Sequence, residues 1–242
     1  MKKICAFLLC CAGLVGCSKH DPILPGVRHD VFDSSEVVIT NQSVPDLSQQ
    51  KNIYGDDTCE YRQDLLNNIW LGDKKVFDGF ATESVVKTNR APVCDGRFVY
   101  AGLSDGQVVK INTNNNKVVW TADVFKGHSM TGGTAVVDIV ARIGVDGKYV
   151  LAGGLGDAWC KLRADNGAVL WCLDISVPLD FIVVDNFAFV VGADNNLYAV
   201  NVDTGRAYWK AEVKKQVVPS WNGVNIVVGK QKFNYHTGEI IK

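Results

Sequence analysis

The chain has 242 residues, of which 47% are hydrophobic and 21% are charged, and its formal net charge is −1. This is an ordinary globular composition, with enough length for one sizeable core. Because basic and acidic residues nearly balance, the sequence argues against the strongly basic surface that nucleic-acid-binding proteins need.

The N-terminus has the pattern of a secretory signal peptide. Lys2 and Lys3 precede an apolar run over residues 4–15, which is too short to span a bilayer. The run ends in Leu14-Val15-Gly16-Cys17, which resembles the lipobox of bacterial lipoproteins, where cleavage frees the cysteine for lipidation. We therefore expect a signal peptide over residues 1–16 and an acylated cysteine that holds the protein on a membrane. An ordinary signal peptide and a core helix are the alternatives.

The next segment predicts a tether. Residues 17–62 are mostly polar, show little periodicity and contain three of the six prolines. Such a segment would stand a folded domain off the membrane. The folded domain is then expected over residues 63–242.

The folded domain is built from a repeated unit, whose clearest copy runs from Phe181 to Trp209. Apolar runs of strand length alternate there with breaks made of Gly, Asn and Asp, and no break is long enough for a helix. The pattern is typical of an antiparallel meander of about four strands. Two further copies end at Trp120 and Trp171, and a weaker copy ends near Ile241.

The spacing of the closing tryptophans indicates the fold. They lie 51 and 38 residues apart, and a four-stranded propeller blade takes roughly 40–50 residues. The sequence therefore predicts an all-β chain, a β-propeller of four-stranded antiparallel blades with about four repeats. An open arc is favoured over a closed ring, and its uncovered sheet faces and edges would be association sites.

The repeated residues have structural explanations. Gly and Asn in the turns supply the positive φ that tight hairpins require. Trp120, Trp171 and Trp209 are expected to fill the gaps between adjacent blades, where each indole N–H needs a partner. Stacking on a carbohydrate or a base is the alternative for these tryptophans.

Four cysteines follow Cys17, and export makes disulfides possible. Cys160 and Cys172 flank the hairpin loop around Asn166 at equal distances, so they would face each other across the hairpin and could be bonded. Two buried free thiols are the alternative. Cys59 and Cys94 could pair by elimination.

No chemical site stands out in the sequence. The glycine-rich stretch Gly153–Gly156 aligns with turns of the other repeats, and no Lys-Ser/Thr pair follows it, so nucleotide binding is not indicated. The histidines have no metal-ligand spacing with one another or with a cysteine pair; they are His20, His29, His128 and His236. We expect no catalytic residues, no metal and no cofactor.

Two features together resemble a known family. Asp21 to Arg28, just after the lipobox, resembles the start of BamB-family lipoproteins, which assist outer-membrane β-barrel assembly. The blades resemble the quinoprotein-like repeat of that family, which closes on a Gly-x-x-x-Trp turn and strand. Here this is Gly167 to Trp171 and Gly205 to Trp209, with Asn116 to Trp120 as a variant.

The sequence also departs from that family. Members form closed propellers of about eight blades and are considerably longer, so we expect a short or truncated relative. Lys242 stands where a fourth tryptophan would be, and Ile69-Trp70-Leu71 is interpreted as a leading strand of a neighbouring blade.

The resemblance implies a function. It is that of a lipid-anchored, non-enzymatic scaffold on the periplasmic face of the outer membrane; Ser18 is a residue type that permits export there. The implied partners are the β-barrel assembly protein and unfolded outer-membrane proteins, received by strand addition. No nucleic-acid partner is expected.

Two other classes of function stay open. A quinone-cofactor dehydrogenase shares the repeat, but such enzymes are much longer and use an adjacent cysteine pair, which this chain has only at Cys10-Cys11 within the signal peptide. An envelope propeller that binds another ligand or protein is the remaining alternative.

Overall fold

The protein is all-β in the residues that the computed structural model describes, which are 37–55, 59–82, 86, 91–124 and 136–241. Nineteen strands there form five antiparallel sheets, and each sheet is a meander of consecutive strands. The predicted fold class is therefore confirmed, with five sheets where the repeats had indicated about four. The signal peptide and Cys17 lie outside the described residues.

The sheets are numbered in chain order, and all but the first have four strands. The first sheet contains β1 (Tyr61–Gln63), β2 (Ile69–Leu71) and β3 (Lys74–Phe77). The second contains β4 (Val93–Asp95), β5 (Phe98–Gly102), β6 (Gln107–Asn112) and β7 (Lys117–Asp123). The third contains β8 (Gly144–Asp146), β9 (Tyr149–Gly153), β10 (Trp159–Arg163) and β11 (Val169–Leu173). The fourth contains β12 (Ile182–Val184), β13 (Phe187–Val191), β14 (Asn196–Asn201) and β15 (Arg206–Glu212). The fifth contains β16 (Ser220–Trp221), β17 (Asn225–Val228), β18 (Gln231–Asn234) and β19 (Ile240–Ile241).

The last hairpin of each four-stranded sheet uses the same turn. The fifth residue of this turn, counted from the last residue of the preceding strand, has positive φ. The angle is 54° for Asn116, 75° for Gly167, 69° for Gly205 and 76° for Gly238. This is the left-handed region, which glycine adopts freely and which asparagine tolerates better than most residues. The backbone therefore confirms why the sequence could place Asn116 where the other repeats have glycine.

The position of a sheet in the stack decides how its strands are buried. All five residues of β13, in the fourth sheet, are buried, because that sheet packs against a neighbour on each face. In β18 of the fifth sheet only Phe233 is buried. A central strand of an inner sheet is consequently apolar throughout rather than alternating.

Tryptophan joints connect consecutive four-stranded sheets. The Nε1–H of Trp120 donates to the carbonyl oxygen of Ala164 at 3.2 Å. Trp171 donates in the same way to Val202 at 3.0 Å, and Trp209 donates to Tyr235 at 2.9 Å. Each acceptor lies in the last hairpin of the following sheet, so one interaction repeats three times along the stack.

The turn glycine of the following sheet makes each joint possible. A Cβ atom at Gly167 would lie 2.8 Å from the Trp120 ring. The same atom would lie 2.8 Å from Trp171 at Gly205, and 2.6 Å from Trp209 at Gly238. The glycine thus meets two requirements at once, because it adopts positive φ and leaves room for an indole.

The first sheet joins the stack with other side chains. The pairing of β2 with β3 contains a β-bulge between Ile69 and Trp70, and Ile69 pairs with Phe77. The same position of the second sheet pairs Lys110 with Trp120, so Phe77 stands where the other sheet has its tryptophan. The hydroxyl of Tyr61 donates to the side-chain oxygen of Asn116 at 2.8 Å. Ile69–Leu71 is therefore the middle strand of a separate three-stranded sheet.

The sheets form an open arc. Interactions between described side chains connect neighbouring sheets, and none of the hydrogen bonds between described residues joins the first sheet to the fifth. Side chains of successive pairs in a sheet point to opposite faces, and Phe233 packs on the face that meets the fourth sheet. The other face of the fifth sheet therefore carries Asn225, Val227, Lys232 and Asn234.

Gly205→Ala tests the joint against a matched control, Gly96→Ala. Both glycines have positive φ, 69° and 56°, so each substitution should cost about 1–2 kcal/mol of backbone strain. Only Gly205 contacts an indole, whereas nothing lies within 4 Å of the Gly96 position, so Gly205→Ala should cost about 1–3 kcal/mol more. Urea unfolding measures both free energies, and equal losses would contradict the joint.

Candidate interaction surface

Two disulfide bonds occur among the described residues. Cys160 and Cys172 lie opposite each other in β10 and β11, with their Cα atoms 4.1 Å apart and their sulfur atoms bonded at 1.98 Å. Cys59 and Cys94 are bonded at 2.07 Å. The first bond closes a hairpin within the third sheet, and the second links the segment before β1 to β4 of the second sheet.

Residues 37–55, which we call the strap, lie on the sheets. The strap first meets the outer strand of the fourth sheet, where Ile39 forms a parallel bridge with Ala207. It then reaches the last hairpin of the fifth sheet, where the amide of Val44 donates to the carbonyl of His236 at 3.0 Å. Gln50 forms an antiparallel bridge with Val184 in the first strand of the fourth sheet.

The end of the strap continues towards the second sheet. The amide of Val145 in β8 donates to the carbonyl of Ile53 at 2.6 Å. The hydroxyl of Tyr54 donates to the carbonyl of Phe181 at 2.6 Å and accepts from the amide of Phe181 at 2.9 Å. A Cβ atom at Gly55 would overlap the carbonyl oxygen of Cys94, so the strap passes directly against β4.

The strap differs from the predicted tether. Residues 17–62 were predicted to be a spacer, but Val44 and Ile53 have exposed fractions of only 1% and 2%. The strap contacts each sheet through only a few residues, and its apolar side chains are therefore irregularly spaced. Without a strand or helix period, the sequence reads as a linker. The first sheet also begins at Tyr61, two residues before the predicted boundary.

Carboxylates of the third and fourth sheets bind the strap. The amide of Ser48 donates to Asp185 Oδ2 at 2.6 Å, and its hydroxyl donates to the same carboxylate at 3.1 Å. The hydrogen bond from the Ser48 amide is the largest influence on Asp185 and lowers the pKa of its carboxyl. Lys51 forms an ion pair with Asp146 at 2.6 Å. Burial is the largest single influence on Asp146 and opposes its ionisation. The hydrogen bond and the charge of Lys51, together with Tyr149 and Lys148, outweigh burial and lower the pKa of Asp146.

Lysines lie inside two of the joints, which the sequence analysis did not predict. Lys110 and Lys161 both pair with the tryptophan of their sheet, and both are buried. The Nζ of Lys110 donates to Ala164 O at 2.5 Å and lies 3.7 Å from the centre of the Phe98 ring. Burial lowers the pKa of Lys110. The two lysines occupy the same position of the repeat, and this shared position is the feature of the sequence that could have indicated their structural role.

Exposed large apolar side chains include two groups that lie in the first sheet and on the outer strands. At one end of the arc they occur in the loops of the first sheet, at Leu65, Leu66 and Phe80. On the outer strands they occur at Val118 and Val119 in β7, at Leu170 in β11 and at both residues of β19. The outer strands therefore combine exposed apolar side chains with the backbone edge of a sheet.

The described residues contain no cluster of three or more His, Cys, Asp or Glu side chains that could hold a metal ion. Within the same residues, no helix is long and apolar enough to span a membrane. The candidates for function that the described residues offer are the sheet edges and the strap that pairs with some of them.

The fold and its joints define a repeat protein of propeller-type blades arranged as an open arc. A family model described as "Outer membrane protein assembly factor BamB" matches residues 76–233, which is more than half of the chain. The chain therefore belongs to this family, as the sequence resemblance had indicated.

Curated relatives carry the same description. The chain is 23% identical over 180 residues to the outer membrane protein assembly factor BamB of Legionella pneumophila (strain Paris), covering 69% of this chain and 45% of the relative. It is 22% identical over 133 residues to that of Francisella tularensis, covering 55% of this chain and 29% of the relative. The chain thus spans less than half the length of these relatives.

Solved structures share the fold. BamB from Moraxella catarrhalis matches with a TM-score of 0.58 at 20% identity, covering 70% of this chain and 54% of that one. The quinohemoprotein alcohol dehydrogenase ADHIIG from Pseudomonas putida matches with a TM-score of 0.53 at 13% identity, covering 75% of this chain and 40% of that one. At such identities both matches show a common blade architecture.

We predict that both disulfides are formed in the protein purified without reductant. Denatured without reductant, it should show no reactive thiol at Cys59, Cys94, Cys160 or Cys172. Removing the Cys160–Cys172 bond as a double alanine variant should lower the free energy of unfolding by about 3 kcal/mol. Mass spectrometry after alkylation checks the first outcome, and four alkylated cysteines would contradict it.

Asp185→Ala should loosen the strap. The carboxylate accepts hydrogen bonds from Ser48 and Gln49, so amide hydrogen exchange at residues 48–51 should become about tenfold faster. Asp73→Ala, in the exposed turn between β2 and β3, is the control and should leave this exchange unchanged.

The same contact has a pH dependence of known sign. The pKa of Asp185 is lowered in the folded protein. The stabilisation that its ionised carboxylate gives to the strap contact is therefore complete above the ordinary pKa of 3.8, and it is lost as the pH falls through the pKa of the folded protein. The amide NMR signals of Ser48 and Gln49 should therefore move only below about pH 4. Movement between pH 5 and 7 would contradict this assignment.

Proposed function

We propose that this protein is a lipid-anchored, non-enzymatic scaffold of outer-membrane β-barrel protein assembly. Family membership supports this role, because the relatives are described as outer membrane protein assembly factors. The observation that carries the proposal is the strap, which the sheet edges bind through main-chain hydrogen bonds at Ala207 and Val183. Surfaces that accept an extended segment suit a protein that receives unfolded barrel proteins.

The proposed anchor is an acylated Cys17, exposed by removal of residues 1–16. The lipobox pattern in the sequence supports this anchor. Residues 17–36 are proposed as the tether, as their mostly polar, proline-containing sequence supports. Acyl chains contribute about 0.8 kcal/mol per buried methylene, so several chains would retain the protein on the periplasmic face of the outer membrane.

The proposed partners are the β-barrel assembly protein and its unfolded clients. In this role the arc docks on the periplasmic part of the assembly barrel and presents sheet edges to a client. The work is binding and positioning, and it needs no cofactor. The rigid joints support it, because a stack of tied sheets holds several edges in fixed relative positions.

Affinity purification from mild-detergent membranes tests the proposal. The tagged wild-type chain should recover the β-barrel assembly protein, as identified by mass spectrometry. Cys17→Ser is the matched control. This variant should no longer be found in the membrane fraction and should recover much less of this partner, because the acyl anchor is lost. A wild-type protein that stays in the membrane fraction and recovers no assembly barrel would contradict the scaffold role.

A further inference from the structure

The outer strand of the fourth sheet already binds an extended segment. The amide and hydroxyl of Thr40 in the strap both donate to the carbonyl oxygen of Ala207, at 3.0 and 3.2 Å. Ile39 pairs with Ala207 as a parallel strand would, and Ala207 is only 1% exposed. Ala207 therefore marks a position where the edge of a blade pairs with a further extended segment, here through a single bridge.

The same position recurs in the second and third sheets. Ala207 pairs with Val200 at a β-bulge, whose extra residue is Tyr208. Val118 pairs with Ile111 at the equivalent bulge of the second sheet, and Val169 pairs with Leu162 in the third sheet. The backbone groups at these positions should consequently point away from the sheet as those of Ala207 do, because the register is the same.

The outer edges of β7 and β11 differ from the outer edge of β15 in what covers them. Val118 and Val119 in β7 are 45% and 44% exposed, and Leu170 in β11 is 51% exposed. Among the described residues, no strand pairs with the outer side of β7 or β11. Natural edge strands are usually protected by charges, prolines or a covering segment. β11 has no charged residue, and β7 has charges only at Lys117 and Asp123, its two ends.

We propose that the outer edges of β7 and β11 are strand-addition sites for an unfolded outer-membrane protein. This inference rests on the scaffold role proposed above and names the surface that carries it. The occupant is an extended protein segment that alternates branched apolar residues with polar ones, as transmembrane barrel strands do. The main-chain edge supplies hydrogen bonds, and Val118, Val119 and Leu170 supply apolar contact.

The strap indicates what kind of segment fits. Its residues at the β15 edge are Val37-Val38-Ile39-Thr40, in which Val37 and Ile39 pack against the core and Val38 is 68% exposed. Such alternation places every second side chain against the blade. A barrel strand offers the same period, so β7 and β11 should accept it in the same way that β15 accepts the strap.

A double variant, Val118→Lys with Leu170→Lys, tests the edges. Both side chains are exposed, so the folded state should be retained, while a charge at an edge opposes strand addition. Val224→Lys with Leu65→Lys is the matched control, because these residues are 66% and 53% exposed in turns of the fifth and first sheets. Thermal unfolding should verify that both variants fold.

Two probes are used with the full chain. One is a synthetic peptide of residues 34–43, with a photo-crosslinking residue in place of Val38. The other is a urea-unfolded outer-membrane barrel protein, diluted into buffer with the same crosslinker in one strand. Crosslinks of both probes should map to β7 and β11 and fall about tenfold in the double variant, with no change in the control.

The proposal is overturned if crosslinking is unchanged in the double variant, or if it maps to β15 through exchange with the strap. It is also overturned if the double variant, but not its control, loses the assembly barrel on affinity purification, because these edges would then be the docking surface. Failure of the scaffold role gives a different result. In that case the wild-type protein would recover no assembly barrel on affinity purification, whatever the crosslinks show.

Discussion

The contact between an indole and a turn glycine determines how the sheets are arranged. A single meander cannot bury both of its faces, so each sheet needs neighbours, and the tryptophan of one sheet reaches the last hairpin of the next. The hairpin needs positive φ at its fifth residue, and glycine provides it without a Cβ atom. One residue type thus fixes the turn and accepts the neighbouring sheet, which couples local folding to the assembly of the arc.

The open arc requires other interactions to hold its members together. In a closed propeller the last blade would pack on the first, whereas here the strap runs across the fifth, fourth, third and second sheets. Its carboxylate contacts at Asp146 and Asp185 and the nearby Cys59–Cys94 bond fix it to three sheets. The buried amines of Lys110 and Lys161 are tolerated because backbone oxygen, aromatic rings or a carboxylate surround them.

The strap also connects the fold to the proposed function. It shows that the edge of a blade can bind an extended chain with ordinary hydrogen-bond geometry, which is the interaction that a carrier of unfolded barrel proteins requires. The repeat then multiplies this property, because the second, third and fourth sheets each end in an outer strand with the same bulge. An array of similar edges can hold several segments of one client without a specific pocket for each.

Local patterns determined much of this protein. Strand-length apolar runs and the Gly-x-x-x-Trp spacing determined the blades, their antiparallel pairing and the alignment of Cys160 with Cys172, because a hairpin is fixed by neighbours in the chain. The sequence did not reveal the first sheet as a repeat, since Phe77 replaces its tryptophan, and it gave no period for the strap, whose partners are mostly more than 90 residues away. Only the tertiary structure decided which edges the strap covers and which have no partner among the described residues, because edge pairing between distant segments leaves no pattern in either one.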